Sequence, residues 1–298
     1  MRMKGGFTQR CQLAMHRVRK TLAANNAAGF TVIEVLIVLA VTGGLFISAA
    51  LLISGRQDAT QFQQAINNVK TQIQQVISDV DSGFYPPSNF TCTANGAGGI
   101  AFTNPVQEQG TNQDCVFLGK VLQFGVQNSD PEQFYTYAVA GLRQNPDGTE
   151  VVNYTQASPT VVTTNAANPT GNPSARNLLQ YGLKTYSMKY TSNGVTSDIG
   201  SVGFMNTLAT YNNGLAQGAE NVMLAPIGSS TRNATPAQAV TQINAATGLK
   251  ATPLTQPSDV SVAICFASGG TDQSGLITIG SNGRQLSVTL SIKAGRKC

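Results

Sequence analysis

From Val35 to Gly55 the chain carries no charged side chain, a run of 21 residues. At ~1.5 Å per residue, a helix of that length crosses the ~30 Å apolar core of a bilayer. Beyond Gly55 the pattern changes. Phe62, Ile66, Val69, Ile73, Val76 or Ile77, and Val80 recur at steps of four and three, the stripe of an amphipathic helix with one buried face. The other face is rich in amides: Gln61, Gln63, Gln64, Asn67, Asn68, Gln72, Gln74 and Gln75. No proline lies between Phe30 and Tyr85, so the pattern predicts one helix of 53 residues from Phe30 to about Ser82, roughly 80 Å long. Three heptads are too few for a free coiled coil. Gly83 and Pro86-Pro87 stop the helix.

The rest of the chain reads mostly as strands: Cys115–Val126, Phe134–Leu142, Thr149–Thr155, Leu183–Thr191, Gly200–Met205, Glu220–Pro226, Val260–Ala267, Leu276–Gly280 and Gln285–Ile292. The last two flank Ser281-Asn282-Gly283-Arg284, where Asn-Gly signals a type I′ hairpin. Leu286, Val288, Leu290 and Ile292 alternate with polar residues, which predicts one buried face. Thr235-Pro236-Ala237-Gln238 reads as a capping box with proline in the first helical position, opening a short helix that Gly248 stops. The Ser-, Thr-, Asn- and Pro-rich stretch 157–176 reads as an exposed loop.

Charge is distributed unevenly over the 298 residues. Arg2, Lys4, Arg10, Arg17, Arg19 and Lys20 lie before residue 30 without a single acid; of the 19 Lys and Arg, 13 then remain against 14 Asp and Glu. The net charge of +5 therefore belongs to the leader, and nucleic-acid affinity of the body is not indicated. Basic residues ahead of an apolar segment hold that end in the cytoplasm and send the rest outward.

Cys11 lies in the leader, whereas Cys92, Cys115, Cys265 and Cys298 follow the apolar run. An even number beyond a membrane segment points to disulfides in an oxidising compartment. Four cysteines allow three pairings, and the sequential one, Cys92–Cys115 and Cys265–Cys298, is the expectation. A zinc site competes poorly, because no pair has CxxC spacing and the single histidine, His16, is in the leader. The same lack of histidine removes Ser-His and Cys-His dyads from the body. Gly96-Ala97-Gly98-Gly99 is followed by no Gly-Lys-Ser/Thr and reads as a loop rather than a phosphate cradle. Asp79-Val80-Asp81-Ser82-Gly83 runs out of calcium ligands and reads as a solvated helix end. The three Asn-x-Thr triplets at Asn89, Asn153 and Asn233 read as chance. No cofactor is expected, and an enzyme is not supported.

The unusual residue is Glu34, a lone carboxylate at the start of an apolar helix. Its cost in a membrane is on the order of 1–3 kcal/mol, which an interfacial position or a cation in an assembly would offset. Gly29-Phe30-Thr31-Val32-Ile33-Glu34-Val35-Leu36-Ile37-Val38 closely resembles the signature of type IV prepilins and pseudopilins. That resemblance implies cleavage between Gly29 and Phe30 by a prepilin peptidase, N-methylation of Phe30, and a docking role for Glu34 toward the amine of a neighbouring subunit. Gly43 matches a helix-weakening glycine of many pilins, and Gly44 adjoins it. Leu51 stands where many members carry proline, and the leader of 29 residues is long. Partners implied in the same way are other pilin subunits, a membrane platform protein and an assembly ATPase.

Together these readings give an α+β fold with two disulfides: a long N-terminal helix packed on an antiparallel β-sheet head. Residues 1–29 form a cytoplasmic leader, 30–55 the membrane or filament-core part of the helix, 56–83 its amphipathic part, and 84–298 the extracytoplasmic head. The expected function is a structural subunit of a type IV pilus, major or minor. The alternatives are a secretion pseudopilin, or an extracellular binding or adhesion protein with an ordinary signal peptide cut near Ser48-Ala49-Ala50.

Overall fold

The computed structural model describes residues 30–83, 91–95, 99–103, 115–125, 131–145, 147–152, 154–162, 175–206, 222–245, 248–250, 260–269, 272–282, 285–295 and 298. Two compact units result, Met1–Ser54 and Gly55–Cys298. One helix, α1 (Val32–Asp81), begins in the first and ends in the second. It stops at Gly83, whose φ of 65° is the left-handed conformation that glycine adopts without a Cβ clash.

The second unit is built on β-strands. They are β1 (Thr91–Asn95), β2 (Gly99–Thr103), β3 (Cys115–Phe124), β4 (Gln133–Leu142), β5 (Thr160–Val161), β6 (Ala175–Leu178), β7 (Leu183–Ser192), β8 (Val195–Asn206), β9 (Val222–Gly228), β10 (Val260–Ser268), β11 (Gln273–Asn282) and β12 (Gln285–Ala294). β1 and β2 pair with each other. The other ten form one sheet in the order β12-β11-β10-β7-β8-β3-β4-β5, with β6 added to β4 and β9 to β8. Every pairing is antiparallel.

Two apolar clusters hold this unit together. In the first, Phe62, Ile66, Val69, Ile73, Val76 and Val80 of α1 join Leu122, Phe124, Phe134, Met188, Val202, Phe204, Ile264, Phe266, Ile277 and Ile279. The helix approaches closely over β11: a Cβ built on Gly275 would lie 1.9 Å from Ile66 Cδ1, so any larger residue there would force the end of that side chain to shift. Lys120 of β3 and Asp79 of α1 pair at 2.6 Å with both side chains largely shielded, and Gln75 donates to the second oxygen of Asp79 at 2.6 Å. Asp79 is thus an anchor of the helix end, not the solvated residue the sequence suggested. The second cluster gathers Leu118, Tyr137, Val139, Tyr154, Met205 and Ile227 with Ala239, Val240 and Ile243 of a short helix, α2 (Pro236–Asn244). That helix opens on the capping box of Thr235 and Gln238, and ends at Ala245 before Gly248 is reached.

The expected fold class needs correction. Strands outweigh helix among the described residues, and the architecture there is a mainly antiparallel β-sheet with one long N-terminal helix, one short α-helix and one 3-10 turn, rather than the expected α+β fold. Sheet order explains this. Eight strands in a row, with β6 and β9 added to β4 and β8, make the framework, and α-helix beyond α1 is confined, among the described residues, to the nine residues of α2. One disulfide is described, Cys265–Cys298, with Cα atoms 5.8 Å apart. The side chains of Cys92 and Cys115 lie outside the described residues, as do Cys11, Gly29 and the rest of the leader.

Three smaller expectations also differ. Thr149–Thr155 is not a strand: Asp147 Oδ1 accepts from the backbone N–H and hydroxyl of Thr149, so local side-chain bonding competes with the ladder. Stretch 157–176 is not wholly exposed, because Ala157, Val161 and Val162 are buried and β5 and β6 enter it. β8 is longer than Gly200–Met205, since Asn193 and Gly194, with φ of 49° and 78°, close a tight turn from β7.

Candidate functional site

Phe30, Thr31 and Glu34, at the start of α1, define the candidate site. Thr31 precedes the first helical residue, and its carbonyl accepts the first helical hydrogen bond, from Val35 N–H at 3.2 Å. Thr31 is therefore the N-cap. Its hydroxyl accepts from the Glu34 N–H at 3.3 Å and donates to Glu34 Oε2 at 3.1 Å. The same Glu34 oxygen accepts from the Thr31 backbone N–H at 3.0 Å. This is a reciprocal capping box, Thr-x-x-Glu, that satisfies two backbone donors otherwise left open at a helix start. A carboxylate there also faces the positive end of the helix dipole.

Glu34 therefore has a partner within its own chain, and the sequence reading, which treated it as an isolated charge, missed Thr31. The signal was present in Thr31-Val32-Ile33-Glu34, in the same form that was recognised at Thr235. Phe30, next to the cap, is 84% exposed, which leaves its side chain without packing among the described residues.

Beyond the cap, residues Val32–Ala50 have a mean hydropathy of 2.3 and none of them is buried. Among the described residues this is the one helix long and apolar enough to cross a membrane. Val32, Leu36, Leu39, Leu45 and Phe46 are all more than half exposed, so apolar side chains point outward around the whole circumference. A helix that is hydrophobic all round needs a lipid or protein surround. Gly43 and Gly44 lie inside this stretch with no atom within 4 Å of a Cβ built on either. No described residue requires glycine there. The helix is unbroken through them, and each weakens it by about 1 kcal/mol relative to alanine. Thr42 and Ser48 donate back to the carbonyls of Val38 and Gly44, at 2.7 and 2.8 Å, which satisfies their hydroxyls in an apolar setting.

The head offers a different kind of polar centre. Gln123 is 1% exposed and donates to the carbonyls of Thr231 and Ala234 at 2.8 and 2.9 Å. Tyr137 donates to its amide oxygen at 2.5 Å. Ser201 donates to Thr231 Oγ1 at 2.9 Å, which donates in turn to the Gly228 carbonyl at 3.1 Å. Burial, with Tyr135 nearby, pushes the Tyr137 phenol well above its ordinary value, so it stays a neutral donor. These neutral groups satisfy one another and fasten the 3-10 turn Ser229–Asn233 to the sheet. No group of three or more His, Cys, Asp or Glu that could hold a metal gathers among the described residues.

The structure thus brings Phe30, Thr31 and Glu34 together at one helix end, and places Cys265–Cys298 in the head unit. No protein-family model, curated protein or solved structure matches the chain.

Proposed function

We propose that this chain is a structural subunit of a type IV pilus or related filament, cleaved between Gly29 and Phe30 and assembled through α1. The observation that carries this reading is the first half of α1. Its apolar side chains are exposed on every side, and a carboxylate is held at its start. Such a helix rests in a bilayer before assembly and among like helices after it, since both surrounds remove the same apolar surface from water. The basic leader remains in the cytoplasm and the disulfide-bonded head outside. Prepilin peptidase, platform protein and assembly ATPase follow from the resemblance of residues 29–38 to prepilins.

Glu34 is then the docking carboxylate, available to the Phe30 amine of a neighbour in a low-dielectric surround where the pairing is strong. The decisive experiment determines the mature terminus and location of the expressed chain. Intact mass should give a chain that starts at Phe30 with a methylated amine, recovered in the fraction sheared from the cell surface. A chain that starts at Leu51 and is free in the medium would overturn the reading in favour of an ordinary signal peptide.

A further inference from the structure

The edges of the sheet are not alike. β5 has two residues and β6 four, and β9 carries Pro226, which cannot donate to a further strand. Short edge strands and proline are the usual protections of a sheet edge against pairing. β12 has neither. It runs ten residues in unbroken register with β11, from Asn282↔Gln285 to Gln273↔Ala294, without a bulge. It contains no proline and a single charge, Lys293. Among the described residues no strand pairs with its other side. The core also opens at this edge: Val288 is buried, Leu290 partly buried, and Ile292 36% exposed.

We propose that β12 is a docking edge for β12 of a second copy of this chain, in an antiparallel ladder centred on Thr289. The sequence of the strand is self-complementary in that register. Leu286 falls opposite Ile292 of the second copy and Val288 opposite Leu290, which continues the apolar row of the core face across the junction. Ser287 falls opposite Ser291, and Thr289 opposite its own counterpart, on the other face. Hydroxyl pairs and apolar pairs of this kind are favourable cross-strand neighbours. Lys293 meets position 285, not a second lysine, so no like charges face each other. A shift by one residue would set the apolar row against the polar face, which fixes the register. An isologous contact of this type closes on itself as a dimer.

The symmetry has a consequence for where the second copy comes from. The two-fold axis stands normal to the sheet and turns the head's own segment of α1, residues 56–81, end for end. Copies joined this way fit heads from two different filaments, or two free heads, and not successive subunits of one filament. The pairing therefore does not rest on the filament reading and can be tested without filaments.

The test uses the full chain in detergent, with association measured by sedimentation equilibrium. Thr289 is exposed, so Thr289→Lys and Thr289→Glu can be made without disturbing the core. Each places like charges face to face at the axis and should weaken association by roughly tenfold or more. An equimolar mixture of the two should restore it, because lysine then faces glutamate, a result that two misfolded variants could not give. A parent chain that remains monomeric would overturn the proposal and leave the edge to a strand from a different protein or to none. Variants that associate as the parent does, or a mixture that fails to recover, would overturn it equally.

Discussion

The two halves of α1 belong to one helix and obey opposite rules of burial. In residues 56–81 the apolar side chains are confined to one stripe, and Phe62, Ile66, Ile73 and Val80 are at most 1% exposed. In residues 32–50 they occupy the whole circumference, and none is buried. Stripe and sheet were matched within one chain, so the second half found its partner on folding. Among the described residues the first half has no such partner. Its surface is complete only in the presence of something else, and helix propensity cannot tell these cases apart. Backbone conformation is local, whereas the destination of a helix face is set by what surrounds it.

The comparison breaks most readily at Ile73, which is fully buried. Ile73→Ala should destabilise the head by about 2–5 kcal/mol through lost burial and the cavity left behind. The same change at Ile37, 58% exposed, should leave the head's unfolding midpoint in denaturant unaltered. Equal effects at the two positions would show that the apolar half does pack on the head.

A smaller effect is expected where the helix end is anchored. Asp79→Asn leaves Lys120 shielded, at 10% side-chain exposure, without its counter-charge. Because both groups retain some contact with water, the loss should be about 2 kcal/mol rather than the full cost of an orphaned buried charge. Adding Lys120→Met should recover much of it, since an apolar side chain needs no partner. Thermal unfolding of the single and double variants measures the coupling. If the double variant is as unstable as the first, the pair acts through packing and not charge.

Much of this was legible in the chain and some was not, for reasons that can be traced. The stripe from Phe62 to Val80 announced its burial because its period is that of a helix. The strands β3, β4, β7, β10 and β12 announced themselves by β-branched and aromatic runs. β5 and β6 did not, being two and four residues long and held by β4 rather than by their own pattern. Asn193-Gly194 carried the same hairpin signal as Asn282-Gly283, yet the Thr-rich stretch around it masked the first part of β8. The weight of the sheet over helix was also hidden, because strand order is a matter of long-range pairing. At the candidate site, Glu34 stands out in the sequence as a charge out of place, whereas Thr31, whose hydroxyl gives the carboxylate its local role, is an ordinary polar residue beside an apolar run. The shielded pair of Asp79 and Lys120 could not be read at all, for the two lie 41 positions apart.

The finest test separates the two tasks that meet at Glu34. One task is local: with Thr31 it caps α1. The other is the proposed docking of a neighbour's amine. Glutamine serves at the third position of a capping box as glutamate does, so Glu34→Gln keeps the cap and removes the charge. Thr31→Val does the reverse, removing the hydroxyl while leaving the carboxyl group in place. Loss of an N-cap costs about 1 kcal/mol, and it falls on a helix of 50 residues whose second half is fixed by the head. Thr31→Val should therefore fray the first turn and lower the sheared filament fraction only a few-fold, an effect of that order. Glu34→Gln should lower it more, while leaving membrane-held mature chain at the parent's level. The reverse ranking, with Glu34→Gln incorporated normally and Thr31→Val impaired, would reduce Glu34 to a helix cap. It would also remove the reason for a charged residue at the edge of an apolar segment, since an uncharged amide could then do its work at less cost in the bilayer.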